Sequence, residues 1–180
     1  MALLVLGLLL WSLPHLAKRI FPGFSRALGA AERPAVTAAI VVGVVLMVIG
    51  YRSWFGTVYW GRTPALAGIN NLLMLVAVYL FAAAGMKTWV ARHYRHPMLT
   101  GMLIWSLAHL LVNGDTPSFV LFGGLGLWAL VEIVLTSRTK WVPPAATGGA
   151  RKEAMAVLGT VIVYGAIAGL HYAAGYPTFG

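Results

Sequence analysis

The sequence predicts an all-α integral membrane protein, a six-helix bundle in one domain over residues 1–180, on three observations. Of its 180 residues, 60% are hydrophobic and only 9% are charged. Mean hydropathy is +0.84, whereas a soluble domain carries about 25% charged residues to dress its surface. Apolar runs recur near the length that crosses a bilayer, about 20 residues. The basic residues gather in alternate connections between those runs. Collagenous, disordered and disulfide-framework classes are excluded by the lack of a Gly-X-Y period, the low polarity and the absence of cysteine. The same absence excludes thiolate-bound metal centres and thiol nucleophiles.

Six spans follow, at about 3–20, 36–54, 66–86, 98–112, 118–136 and 154–174. The first begins apolar, and its basic residues Lys18 and Arg19 come after the apolar stretch, the reverse of a cleaved signal. It is therefore expected to be a true span with its N-terminus outside. The second runs from Val36 to Trp54 and the third from Leu66 to Met86. The fourth is short and opens at Pro97, whose missing N–H needs no partner in a first helical turn. The fifth, Ser118–Thr136, and the sixth, Ala154–Ala174, are rich in glycine. Gly123, Gly124, Gly126, Gly159, Gly165 and Gly169 are expected to let helices approach closely. None of the six segments alternates with period two, and open sheet edges cannot sit in lipid. The Arg138–Glu153 connection, with Pro143, Pro144, Gly148 and Gly149, reads as a cytoplasmic linker.

Eleven of the thirteen Lys and Arg residues fall in the first, third and fifth connections, and only Arg52 and Arg62 in the second. The basic side is cytoplasmic, so both termini are expected outside. The net charge of +9 is thus a topology signal; no nucleic-acid partner is implied, and the lipid bilayer is the expected surrounding.

Polar groups inside spans are costly unless partnered, which makes His15, Asn70, Asn71, Ser106, His109, Glu132 and His171 the informative residues. His15 shares a helical face with Trp11, and His109 with Met98, Met102 and Trp105. A neutral imidazole enters a membrane uncharged and still binds a metal. Two such histidines on different helices are a candidate axial pair for a haem iron; the plainer alternative is a hydrogen bond from each to a carbonyl or an Asn. At about 1.5 Å per residue, His15 lies roughly 10 Å from the inner end of its helix, His109 roughly 18 Å and His171 roughly 26 Å. Depth leaves both the His15–His109 and His109–His171 pairs open. Glu132, the one acid well inside a span, is expected to pair with Arg92 or Arg95. Arg92 and Arg95 themselves read either as lipid anchors or as an anion site for carboxylates such as haem propionates. Trp54, Trp60 and Trp141 read as interfacial belt residues.

The stretch Arg95-His96-Pro97-Met98-Leu99-Thr100, continuing through Trp105-Ser106-Leu107-Ala108-His109-Leu110-Leu111-Val112-Asn113-Gly114, resembles the signature of the NnrU family. That family comprises small bacterial multispan proteins associated with denitrification and nitrogen-oxide metabolism. The same domain forms the body of 15-cis-zeta-carotene isomerase, a haem b membrane enzyme. The resemblance implies a bacterial inner-membrane protein holding haem b, with His15 and His109 as axial ligands. Trp105, Arg92 and Arg95 would then stand near the cofactor. His171 remains the alternative ligand.

Three functions come with these resemblances. One is a haem protein acting in nitrite or nitric oxide metabolism. Another, should the chain be an enzyme, is a haem-dependent isomerase acting on a polyene. Where that isomerase carries a cysteine three residues before its second histidine, this chain has Ser106, so a thiol-based ligand exchange is not available. The third is a membrane S-adenosylmethionine-dependent methyltransferase. The Arg-His-Pro segment is similar to the one such enzymes place near their cofactor, but the acidic residues that follow there are represented here by Glu132 alone.

Overall fold

The computed structural model describes residues 1–145 and 149–179, so Ala146–Gly148 of the expected linker lie outside the described residues. Helix α1 covers Ala2–Ile20, and a short α2, Pro22–Leu28, leads through one 3₁₀ turn into α3, Glu32–Arg52. After α3 come strand β1, Val58–Trp60, and helix α4, Pro64–Met86. The short α5, Trp89–His93, precedes α6, Pro97–Val112. Strand β2, Gly114–Asp115, is followed by α7, Thr116–Ser118, a π turn at Phe119–Gly123, and α8, Gly124–Ser137. The last helix, α9, is Gly149–Ala173.

Four stretches are long and apolar enough to cross a membrane: Arg26–Arg52, Pro64–Met86, Thr116–Ser137 and Gly149–Ala173. Two more, Ala2–Ala17 and Pro97–Val112, are shorter apolar helices. The chain is a multi-pass membrane protein, and lipid accounts for the many exposed Val, Leu and Ile side chains of α3, α8 and α9.

Local chemistry sets the helix starts. Pro64 and Pro97 occupy first-turn positions, and the Thr63 hydroxyl accepts from the Leu66 N–H. Asp115 caps the next helix by accepting from the Ser118 N–H at 2.8 Å. Strands occur in connections, not in the long helices. Val58 pairs with Asp115 and Trp60 with Gly114 in an antiparallel ribbon.

The helices pack in a row: α3 on α1, α1 on α8, α8 on α6, α6 on α4, and α4 on α9. Leu4, Met47 and Leu125 are buried at the centre, with Leu8, Trp11, Tyr51, Met102 and Trp105 against them. The closest approach is between α1 and α3. A Cβ on Gly7 would lie 2.6 Å from the Gly43 carbonyl oxygen, and one on Gly50 would run into the Leu4 backbone. Those glycines, with Gly101 against the Ala77 carbonyl, form seams that the sequence did not single out. Of the glycines it did, Gly124 abuts Leu8 and Gly126 abuts Ser106, whereas Gly123, Gly159, Gly165 and Gly169 have open space where a side chain would stand. Their helix face meets no neighbour, so the expected packing role does not hold there.

The two ends of the bundle, along the helix axes, carry different contacts. At one end Arg19 reaches Glu132, Arg95 reaches the end of α8, and the Trp89 N–H donates to Glu153 at 2.6 Å. At the other, β1 meets β2, the Trp60 indole donates to the Leu110 carbonyl, and Arg62 donates to the Pro177 carbonyl.

Candidate functional site

A cavity of about 570 Å³ lies at this second end, between α3, α4, α6, the π turn, α9 and the C-terminal segment. Its histidines are His109, from the last turn of α6, and His171, from the last turn of α9. Each donates from Nδ1 to the carbonyl four residues earlier, Trp105 at 2.9 Å and Ile167 at 2.8 Å. A carbonyl only accepts, so the proton sits on Nδ1 and the Nε2 lone pair is left available. This is the arrangement in which a backbone carbonyl fixes the tautomer of a metal-ligating imidazole.

Aromatic rings hold His109 in place. The Phe122 ring stacks on it at 4.6 Å and the Trp105 ring is tilted against it at 4.7 Å. Phe122 belongs to the π turn, and Tyr51 meets its other edge at 5.9 Å. The extra residue in that turn rotates Phe122 relative to an uninterrupted helix, and π turns recur at functional positions for such reasons.

The polar rim has Arg52, Arg62, Asn70 and Asn71, and no acidic residue. Asn70 donates to Asn71 Oδ1 at 3.2 Å, and Asn71 donates to the Thr178 carbonyl at 2.9 Å. Asn70 Oδ1 is buried with no hydrogen-bond partner among the described residues. Gly175, Tyr176, Pro177 and Thr178 fold back to line the cavity, and Phe179 lies edge-on to Tyr164. The Gly175 φ of +84° turns the chain back after α9, a conformation glycine adopts without a Cβ clash.

His15 is elsewhere. It is not a lining residue of the cavity; its ring packs against Trp11 at 4.8 Å and Trp128 at 5.1 Å, which also meet each other at 5.5 Å, and its Nδ1 donates to the Trp11 carbonyl. The indole N–H groups of Trp11 and Trp128 are buried without partners among the described residues. So is the hydroxyl of Ser106.

Glu132 is 4% exposed and pairs with Arg19, Nε to Oε2 at 2.9 Å. The expected partners, Arg92 and Arg95, are not used, because the end of α1 and not α5 packs beside that turn of α8. Arg95 instead donates to the carbonyls of Thr136, Ser137 and Thr139 at the C-terminus of α8. A cation there satisfies orphan carbonyls and opposes the helix dipole. His96 joins it through Ser137 Oγ at 2.9 Å. Burial, then the charges of Arg95 and Arg19, hold the His96 imidazole below its ordinary pKa. A smaller cavity of about 290 Å³ includes Arg95, His96 and Trp141 at this end. It lies beside the first turn of α6, whereas His109 stands in the last.

The motif residues thus have structural duties. Arg95 and His96 dock on α8, and Pro97 starts α6. Asn113 closes α6 by donating to the His109 carbonyl at 2.9 Å. Gly114 leaves room for the Trp60 ring, which a Cβ there would strike. Trp60, expected as a belt residue, also ties β1 to β2 and to the last turns of α6. Arg52, Arg62 and the tail were not foreseen as site residues. The one available signal was that Arg52 and Arg62 alone break the basic asymmetry.

Among the described residues no group of three or more His, Cys, Asp or Glu side chains comes together to hold a metal ion. A group that needs one or two imidazoles and an apolar slot fits better. The cavity volume is within the usual range for ligand sites, about 300–1,000 Å³. Comparison with curated proteins and with solved structures returned no match. The family model described as NnrU protein matches residues 3–178, nearly the whole chain, and the chain accordingly belongs to the NnrU family.

Proposed function

We propose that this chain is a haem b-binding membrane protein that serves nitrogen-oxide metabolism, with the haem held between His109 and His171. The observation that carries the reading is that these two imidazoles, from different helices, line one ligand-sized cavity with Nε2 uncommitted. Haem, when bound, would supply a redox-active iron, which a small ligand such as nitric oxide would reach by displacing one of the two imidazoles. The chain's part is to orient the two imidazoles through their Nδ1 bonds, to wall the ring system with Trp105, Phe122 and Tyr164, and to exclude water with the folded-back tail. The nitrogen-oxide role rests on the family's association.

The family resemblance offers His15 as the partner of His109 instead. The two assignments differ in which substitution empties the site. Purified protein should show a Soret band with a low-spin spectrum. His109→Ala should abolish the low-spin form, and His171→Ala should do the same while His15→Ala retains it. Loss in His15→Ala with retention in His171→Ala would transfer the site to the Trp11–His15–Trp128 cluster. No Soret band after reconstitution would remove haem altogether.

The same reading includes six crossings of a bacterial inner membrane with both termini outside. It is supported by the basic asymmetry and by the meeting of residues 58–62, 110–115 and 175–178 at one end of the bundle. The connections holding Arg19, Arg95 and Trp89 meet at the other end.

A further inference from the structure

The cavity is polarised. Its lining includes Arg52, Arg62, Asn70, Asn71 and His109, and no acid. Its apolar lining includes Met74, Val112, Phe122, Ile167 and Ala168. The rim lies at helix ends: Arg52 closes α3, Arg62 precedes α4, and His109 and His171 are in last turns. With these helix ends at the membrane surface, the cations would stand at the headgroup level. Two arginines, an acid-free rim and an apolar floor are complementary to a flat apolar molecule carrying carboxylates at one edge.

We infer that Arg52 and Arg62 are the carboxylate-binding residues of this cavity and fix the orientation of its ligand, acid groups at the rim and ring system inward. The inference rests on the proposed haem reading. Arg52 has no hydrogen-bond or ion-pair partner among the described residues, and its side chain is exposed at the mouth. Arg62 donates to the Pro177 carbonyl. A guanidinium has five N–H donors, so Arg62 can hold the tail and a carboxylate together. That couples ligand capture to tail closure: the residue that meets the acid group also anchors the segment covering it. Asn70 Oδ1, buried and unpartnered, is one more polar group whose position suits an occupant with a polar edge. Arg92 and Arg95, the cations the sequence suggested for this task, stand at the far end of α6 from His109. The Arg95 guanidinium is engaged by three carbonyls of the α8 terminus.

The test is a titration of the purified full-length chain in detergent with haemin, haemin dimethyl ester and metal-free protoporphyrin IX, followed by Soret absorbance and tryptophan quenching. Arg52→Gln and Arg62→Gln should each weaken haemin and protoporphyrin IX by about tenfold, as expected for loss of a charge-assisted bond. The double variant should lose more, and the dimethyl ester should bind the unsubstituted chain and the arginine variants alike. His109→Ala and His171→Ala should alter the spectra of both iron porphyrins yet leave the arginine dependence of protoporphyrin IX intact. The two ideas separate here: arginine dependence with unchanged iron-porphyrin spectra in both histidine variants keeps the carboxylate site and removes iron ligation. Equal binding of haemin and its ester by every arginine variant overturns the inference, as does a loss confined to Arg92→Gln/Arg95→Gln. Failure of the unsubstituted chain to bind any of the three porphyrins overturns both.

Discussion

Arg19 Nε lies 2.9 Å from Oε2 of Glu132, joining the end of α1 to the buried face of α8. The carboxylate is almost fully covered, while the guanidinium is partly exposed. A charge so placed is costly without its partner, and that asymmetry sets the first prediction.

Arg19→Gln should destabilise the protein in detergent by about 2–3 kcal/mol, because Glu132 is left as a buried unpaired acid. Glu132→Gln should cost less, since the remaining arginine reaches water. Thermal melting of both variants measures this. Equal stability of Arg19→Gln and the unsubstituted chain would show the pair to be without weight.

The seam between α1 and α3 should be intolerant of bulk. Gly43→Leu should separate the two helices and prevent a monodisperse fold, because the Gly7 carbonyl and Trp11 backbone are in the way. Gly159→Leu on α9 should be neutral within about 0.5 kcal/mol, since nothing stands within 4 Å of a Cβ there. Size-exclusion profiles and melting curves distinguish the two. A tolerated Gly43→Leu would mean that the helices are not in this contact.

The tail should act as a cover. Truncation after Ala174 removes the bonds from Arg62 and Asn71 to the Pro177 and Thr178 carbonyls. The expected result is faster exchange of bound porphyrin, by about tenfold if two hydrogen bonds hold the cover closed, with helical content unchanged. Asn71→Leu should give a smaller effect in the same direction. An unchanged dissociation rate in the truncated chain would assign the tail no part in retention.

Orientation is checked with reporters. A periplasm-active reporter after Gly180 should be active, and one inserted near Ala146 silent, if eleven of thirteen basic residues mark the cytoplasmic side. The opposite pattern would place the Arg52–Arg62 rim inside the cell.

Much was legible in the chain alone. Hydropathy and length determined the class and the long apolar helices, because both depend only on residues adjacent in sequence. Pro97 marked the start of α6 for the same local reason. The short list of polar residues within apolar runs already contained His109, His171, Asn70, Asn71 and Glu132. Which of them would meet was not legible. Lipid is as apolar as a helix interface, so hydropathy does not say which face of a membrane helix turns toward protein. Only the packed row decided that Glu132 meets Arg19, that Gly7, Gly43 and Gly50 form the tight seam, and that His109 faces the cavity of His171 while His15 packs against two tryptophans. The π turn that brings Phe122 onto His109 and the return of the tail onto Asn71 are likewise products of tertiary contact. Each joins residues whose proximity depends on helix neighbours and azimuth, quantities that a one-dimensional pattern of polarity does not contain.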